Sequence, residues 1–260
     1  VLIGAGFAEA VTFTFIEKVA AAPYDAAPVA IANPLSELFA VLRPSLLPGL
    51  VDSLSHNRRR EQRDIRLFEV GTRFTTTLGE TRSVAIGWTG AAAPEHWSGS
   101  GRAVDEYDLL GVVQRVADVL RVRIDVAAAD HPALMPGRAA RLSCVAADGS
   151  RVEVGWVGQL APALADARGL PSADPVLVAE IDLDLAAPDY DPDRQVVMTP
   201  LPRHPSVVRD LSIVVAADLP AASVRGTIHA SAPPTLVAVR EFDRYQGTSL
   251  PEGKVSLSLR

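Results

Sequence analysis

Pro202-Arg203-His204-Pro205-Ser206-Val207-Val208-Arg209-Asp210-Leu211 opens the stretch that decides the fold. It leads into residues 208–215, a run of β-formers that reads as a strand. Successive strand side chains alternate, so Leu211, Ile213 and Val215 share the face that packs, and Asp210 and Ser212 share the open one. Leu219-Pro220 then starts a helix running to Ser231. Residues 236–242 and 255–259 read as two more strands, with Glu241-Phe242-Asp243-Arg244-Tyr245 and Pro251-Glu252-Gly253-Lys254-Val255-Ser256-Leu257 around them. In the last strand Val255, Leu257 and Leu259 are expected inside, and Lys254, Ser256, Ser258 and Arg260 outside. This β-α-β-β order is the first part of a β-α-β-β-α-β unit. In the complete unit a fourth strand lies beside the first, so 208–215 is expected to be an open edge.

Upstream, 186–199 is rich in Pro and Asp, lacks periodicity and is the candidate linker. The body before it mixes hairpins and helices. Residues 10–16 alternate as a strand, and 29–32 form a short strand stopped by Asn33-Pro34. Ser45 is placed to cap a helix reaching about Arg60, with Leu46, Leu50 and Leu54 on one face. Residues 65–74 and 84–88 read as strands. A clear amphipathic helix covers 106–121, burying Leu109, Val112, Val113, Val116 and Leu120. Strands 141–146 and 152–157 flank Asp148-Gly149, a hairpin signal. A helix at 162–167 and a strand at 176–183 close the body. The pattern argues α+β rather than a doubly wound parallel sheet.

The chain has 260 residues, 48% of them hydrophobic and 22% charged, with a net charge of −6. Residues 201–260 hold seven Lys and Arg against five Asp and Glu, so this segment is +2 and the rest is −8. A slightly basic tail on an acidic body permits contact with nucleic acid but argues for it only weakly. No apolar run approaches the ~18 residues that span a bilayer, so no membrane role is expected. The N-terminus has no basic segment leading into a signal peptide. There is no starting Met, and the chain stops at Arg260 inside an apolar alternation, which reads as a piece of a longer protein. The one cysteine, Cys144, excludes an intrachain disulfide and a thiolate cluster. Its apolar neighbours make it a buried structural residue, in keeping with a cytoplasmic location.

Further phrases occur along the body: Gly6-Phe7-Ala8-Glu9-Ala10-Val11-Thr12, Asn33-Pro34-Leu35-Ser36, Leu42-Arg43-Pro44-Ser45-Leu46-Leu47-Pro48-Gly49-Leu50 and Arg66-Leu67-Phe68-Glu69-Val70-Gly71. His131-Pro132-Ala133-Leu134, Pro136-Gly137-Arg138 and Gly155-Trp156-Val157-Gly158-Gln159-Leu160 follow. Each alone is weak. In this order, joined to the C-terminal set, they resemble the β subunit of bacterial phenylalanyl-tRNA synthetase over nearly the whole chain. The resemblance implies a class II synthetase-like antiparallel sheet with helices at 1–188, without catalytic residues. A linker at 189–200 and an incomplete ferredoxin-like anticodon-binding domain at 201–260 would follow.

Class II chemistry needs one arginine for the ATP α-phosphate and another, after a Gly-rich strand, for the γ-phosphate. Arg73 falls roughly where the first belongs, but no Gly-x-Gly-x-Gly strand ends in the second. No phosphate loop or dinucleotide fingerprint is present either. The chain itself is therefore expected to lack an aminoacylation site and to bind no cofactor. ATP and Mg²⁺ would be used by the complete enzyme. The implied partners are a catalytic α subunit in an (αβ)₂ assembly and tRNA(Phe).

The implied tRNA-binding residues are Arg203, Arg209 and Lys254 for phosphates, and Ser212, Tyr245 and Ser256 for the anticodon. From the residues alone, a solvated sheet face with Tyr245 on its rim is the simpler account. A sheet with small hydroxyls and flanking cations can also receive unstacked bases, and Tyr245 could stack on one. Arg58, Arg59, Arg60, Arg63 and Arg66 read first as a helix C-terminus complementing its dipole, and alternatively as a tRNA-backbone contact. His131, between prolines and without a triad partner, reads as structural, and His56 and His96 lack metal-ligand spacing. A stand-alone RNA- or protein-binding module is the competing reading. A small-molecule enzyme is a third, disfavoured by the lack of a nucleophile–base pair.

Overall fold

The computed structural model describes every residue except 98, 100, 147–148, 172, 191–197, 199–200 and 202. Most of the linker candidate, Asp148 of the hairpin turn and Pro202 therefore lie outside the described residues. The chain divides into two compact units, 1–193 and 194–260.

Unit 1 begins with a short 3-10 turn at Ile3–Ala5, which Gly6 closes in the left-handed conformation. Its elements in order are β1 (Ala8–Glu9), β2 (Phe15–Ile16), α1 (Lys18–Ala21), β3 (Val41–Leu42), α2 (Leu47–Arg58), β4 (Ile65–Thr75), β5 (Gly79–Thr89) and α3 (Glu106–Leu120). There follow β6 (Ile124–Ala128), β7 (Leu134–Val145), β8 (Arg151–Leu160), α4 (Pro162–Ala167), β9 (Val176–Asp182) and α5 (Leu183–Ala186). Seven strands make one sheet in the order β1-β4-β5-β9-β8-β7-β6. All neighbours are antiparallel except β1 with β4.

Both faces of this sheet are covered. Val84, Ile86, Leu177, Ala179 and Ile181 join Leu109, Val112, Val113 and Val116 of α3. The intervening Ala85, Val176 and Val178 join Leu47, Leu50, Val51 and Leu54 of α2 on the other side. That two-sided cover is why β9 reads as a nearly continuous apolar run. Leu46, Leu50 and Leu54 are all 0% exposed, each contributing on the order of 2 kcal/mol as an upper estimate. The helix sits so close that a Cβ on Gly87 of β5 would meet Leu54 Cδ1 at 2.9 Å.

Several local expectations are corrected. The strand at 10–16 shrinks to β2 and the neighbouring β1. Between them Thr12 gives its N–H and hydroxyl to Glu69, at 3.2 and 2.7 Å, in place of a ladder. The strand at 29–32 is reduced to a single bridge, Ala30 to Val41. Helix α2 starts one turn position later and ends at Arg58, although the Ser45 hydroxyl still accepts from Leu47 N at 3.1 Å.

Unit 2 consists of β10 (Leu211–Ala216), α6 (Ala221–Ser231), β11 (Glu241–Tyr245) and β12 (Lys254–Leu259). Its sheet has the order β10-β12-β11, antiparallel throughout, so the third strand of the β-α-β-β unit lies in the middle. Val255, Leu257 and Leu259 are buried with Val224 of α6, and Ile213 and Val215 pack against them. Leu211 does not join this core as expected; it is 49% exposed at the start of the edge strand. The strand placed at 236–242 forms instead at Glu241–Tyr245, because Pro233 to Leu236 makes a turn and Val237 faces solvent.

Candidate nucleic-acid interface

One cleft of unit 1 gathers several titratable side chains. It encloses about 390 Å³ against Tyr24, Arg73, His131, Trp156, Glu180 and Asp182. Arg73 Nη2 donates to Asp182 Oδ2 at 2.5 Å. Glu180 accepts from Leu46 N and from the Ser45 hydroxyl, both at 2.7 Å. Burial pushes its carboxyl pKa up, against the pull of Arg73 and of these hydrogen bonds. His131 tilts against Trp156, 4.8 Å between ring centres, and its Nδ1 accepts from Ala133 N at 3.1 Å. Burial lowers its pKa, which favours the neutral ring. A nucleoside triphosphate does not fit this lining. Its one guanidinium already serves Asp182, and Glu153, Glu180 and Asp182 make the cleft acidic. Among the described residues no three His, Cys, Asp or Glu side chains converge as metal ligands, and no helix is long and apolar enough to cross a membrane.

The arginine run divides by role. Arg58 pairs with Asp174, and Arg66 lies 4.4 Å over the Trp88 ring while donating to Ala92 O at 2.9 Å. Arg59, Arg60 and Arg63 remain exposed. Cys144 is buried and its thiol pKa is raised by that burial.

Unit 2 presents a different surface. In register, Ser212 faces Ser258 and Val214 faces Ser256 across β10 and β12, while Tyr245 of β11 faces Ser256 from the other side. The hydroxyls of Ser212 and Ser256 lie 3.0 Å apart. Tyr245 is 47% exposed, and its hydroxyl lies 3.1 Å from that of Ser249. Lys254 is exposed at the far end of β12, opposite Ala216. Ser212, Tyr245, Ser256 and Lys254 therefore share one open face, lined by hydroxyls and flanked by a cation. Such a face can stack and hydrogen-bond splayed-out bases.

A family model of the phenylalanyl tRNA synthetase beta chain CLM domain matches residues 1–183. The chain belongs to the phenylalanyl-tRNA synthetase β-chain family. A second model, of the ferredoxin-fold anticodon binding domain, matches residues 202–260. Among curated relatives, the phenylalanine–tRNA ligase β subunit of Thiobacillus denitrificans is 32% identical over 261 residues, covering 100% of this chain and 32% of that subunit. The Pseudomonas putida β subunit is 33% identical over 265 residues, covering 99% and 32%. The Staphylococcus aureus β subunit is 33% identical over 269 residues, covering 100% and 32%. The chain thus spans about a third of the length of the curated relatives it matches.

Within this β-chain family fold, Arg203 and Arg209 are not brought onto the sheet. Both are exposed on the irregular segment before β10, where Arg209 Nη1 donates to the adjacent Val208 carbonyl, at 3.4 Å. Phe242 was missed by sequence reasoning. It and Tyr245 are an odd number of residues apart, which puts them on opposite faces of a regular strand. A register shift between Glu241 and Asp243 breaks that alternation, and Phe242, 54% exposed, ends beneath Arg260 on the open side.

Proposed function

We propose that the chain is a non-catalytic part of a phenylalanine–tRNA ligase β subunit. It supports the ATP-dependent attachment of phenylalanine to tRNA(Phe). Unit 1 braces the catalytic α subunit in an (αβ)₂ assembly, where the complete enzyme uses ATP and Mg²⁺. The acidic cleft, with Arg73 held by Asp182, supports a bracing role over a catalytic one. Unit 2 receives the anticodon region, with Ser212, Tyr245 and Ser256 at the bases and Arg203, Arg209 and Lys254 at phosphates. The reading locates the protein in the cytoplasm with the rest of translation.

The observation that carries this proposal is the open face of unit 2, where the Ser212 and Ser256 hydroxyls lie 3.0 Å apart and Tyr245 pairs in register with Ser256, beside Lys254. The test is to purify the complete reading frame from its native source and identify what comes with it. A class II synthetase α subunit and one tRNA species are expected. Recovery of the chain alone, or with mixed RNA, would replace this reading with a stand-alone binding module.

A further inference from the structure

Arg260 is held on the open face of unit 2 from two directions. Its Nε and Nη2 donate to Asp210 Oδ1 and Oδ2, at 2.7 and 2.8 Å. Its guanidinium carbon lies 5.0 Å from the centre of the Phe242 ring. The main chain is fixed as well: Arg260 N donates to Arg240 O, and Arg240 N to Arg260 O, both at 2.7 Å. In spite of this the side chain remains 56% exposed. The hydrogen bonds from Arg260 keep the Asp210 carboxyl below its usual range, so the fork is charged at neutral pH.

An exposed ion pair of this kind adds little to stability. Its effect is geometric. A flat, weakly hydrated cation is laid over an aromatic ring and prevented from rotating by a two-point fork. Arg260 is an even number of residues from Ser256 on β12, so by strand alternation its half-exposed side chain lies on the same side of the sheet as Ser212, Ser256 and Tyr245. Such planes are surfaces on which unstacked bases settle.

We infer that Asp210, Arg260 and Phe242 form a second base-stacking station on this face, separate from Tyr245, for an unpaired nucleobase of single-stranded RNA. Separation follows from the strand: Arg260 is four residues beyond Ser256, the register partner of Tyr245, or ~13 Å along β12. One base cannot cover both, so two nucleotides of the same loop are engaged. RNA is favoured over a peptide ligand because the face combines stacking planes with hydroxyls and a cation, in a segment of charge +2. The inference rests on the reading of this face as the anticodon surface.

The experiment uses the complete chain in its native assembly, titrated with tRNA(Phe). The same RNA is also made with single abasic nucleotides through the anticodon loop. Arg260→Lys keeps the charge but loses the plane and the fork, and Phe242→Ala removes the support. Each is expected to weaken binding about tenfold, as for the loss of one base stack. The salt dependence of Arg260→Lys should match wild type, since no phosphate contact is lost. At one loop position the abasic change should weaken the wild type about tenfold and Arg260→Lys no further; at another, the same relation should hold for Tyr245→Ala.

Thermal melts of each variant identify any loss of binding that comes from unfolding, and Arg260→Lys, a surface change, covers the case in which Phe242→Ala unfolds. If Tyr245→Ala weakens binding and Arg260→Lys does not, the anticodon reading stands and this inference falls. If Tyr245→Ala, Arg260→Lys and Phe242→Ala all bind RNA as wild type does, the face serves another partner and both fall.

Discussion

Glu180 and the first turn of α2 are 134 residues apart in the chain, yet Glu180 takes the Leu46 N–H at 2.7 Å. A carboxylate at a helix N-terminus complements the dipole and satisfies a donor that the helix cannot. Glu180→Ala would take the carboxylate acceptor away from that N–H and from the Ser45 hydroxyl, both on buried residues at the edge of the cleft. A loss of about 3 kcal/mol is expected, read as an earlier urea midpoint by tryptophan fluorescence. His131 supplies a pH dependence. Burial lowers its folded-state pKa, so the unfolded chain binds the proton first. Stability is therefore complete above the ordinary histidine pKa of ~6.5 and declines as pH falls from there toward the lowered folded-state value. His131→Phe should flatten the dependence just below that pH, before the carboxylates titrate. A decline of the same size in the variant would reject the assignment.

Among elements, α3 is the one whose ends are written locally. Asp105 accepts from Tyr107 N and Asp108 N at 2.9 and 3.0 Å, and Asp108 accepts from Asp105 N at 3.0 Å, a reciprocal capping box. Arg102 grips Asp108 from outside and, with these bonds, holds its carboxyl pKa down. Arg121 ends the helix in the left-handed conformation. Asp105→Ala is expected to cost about 1 kcal/mol in chemical unfolding of unit 1. An unchanged midpoint would mean that packing on the sheet alone holds α3. Segment 10–16 is the contrasting element. Its alternation is present in the sequence, but Val11 and Phe13 end 90% and 75% exposed, and Thr12 turns in toward Glu69 and Arg43.

At the scale of the molecule, the two units differ in how much core they own. Unit 1 has a core on each face of its seven-stranded sheet. Unit 2 closes over Val224, Val255, Leu257 and Leu259, and among the described residues β10 pairs only with β12, leaving an open edge. Residues 194–260 expressed alone are expected to lack a cooperative melt or to aggregate. A sharp calorimetric transition would show that this small core suffices. The charge division, +2 in 201–260 against −8 in the rest, would bias RNA toward unit 2, most strongly at low salt.

Local spacing by itself determined α3, the presence of strands at β4 and β5, α4, β9 and the β-α-β-β order of unit 2. Each depends on periodicity, caps or turns within a few residues, and ordered phrases such as Arg66-Leu67-Phe68-Glu69-Val70-Gly71 added the family. Ser212, Ser256 and Lys254 were legible as open-face residues because strand alternation is local too. Tertiary structure decided the rest: the union of Arg73 with Asp182, 109 residues away, the capping of α2 by Glu180, and the bulge that sets Phe242 under Arg260. The physical reason is that a side chain's partner across a sheet is chosen by packing and by the need to satisfy buried charge. Nothing in the spacing of neighbours along the chain records that choice.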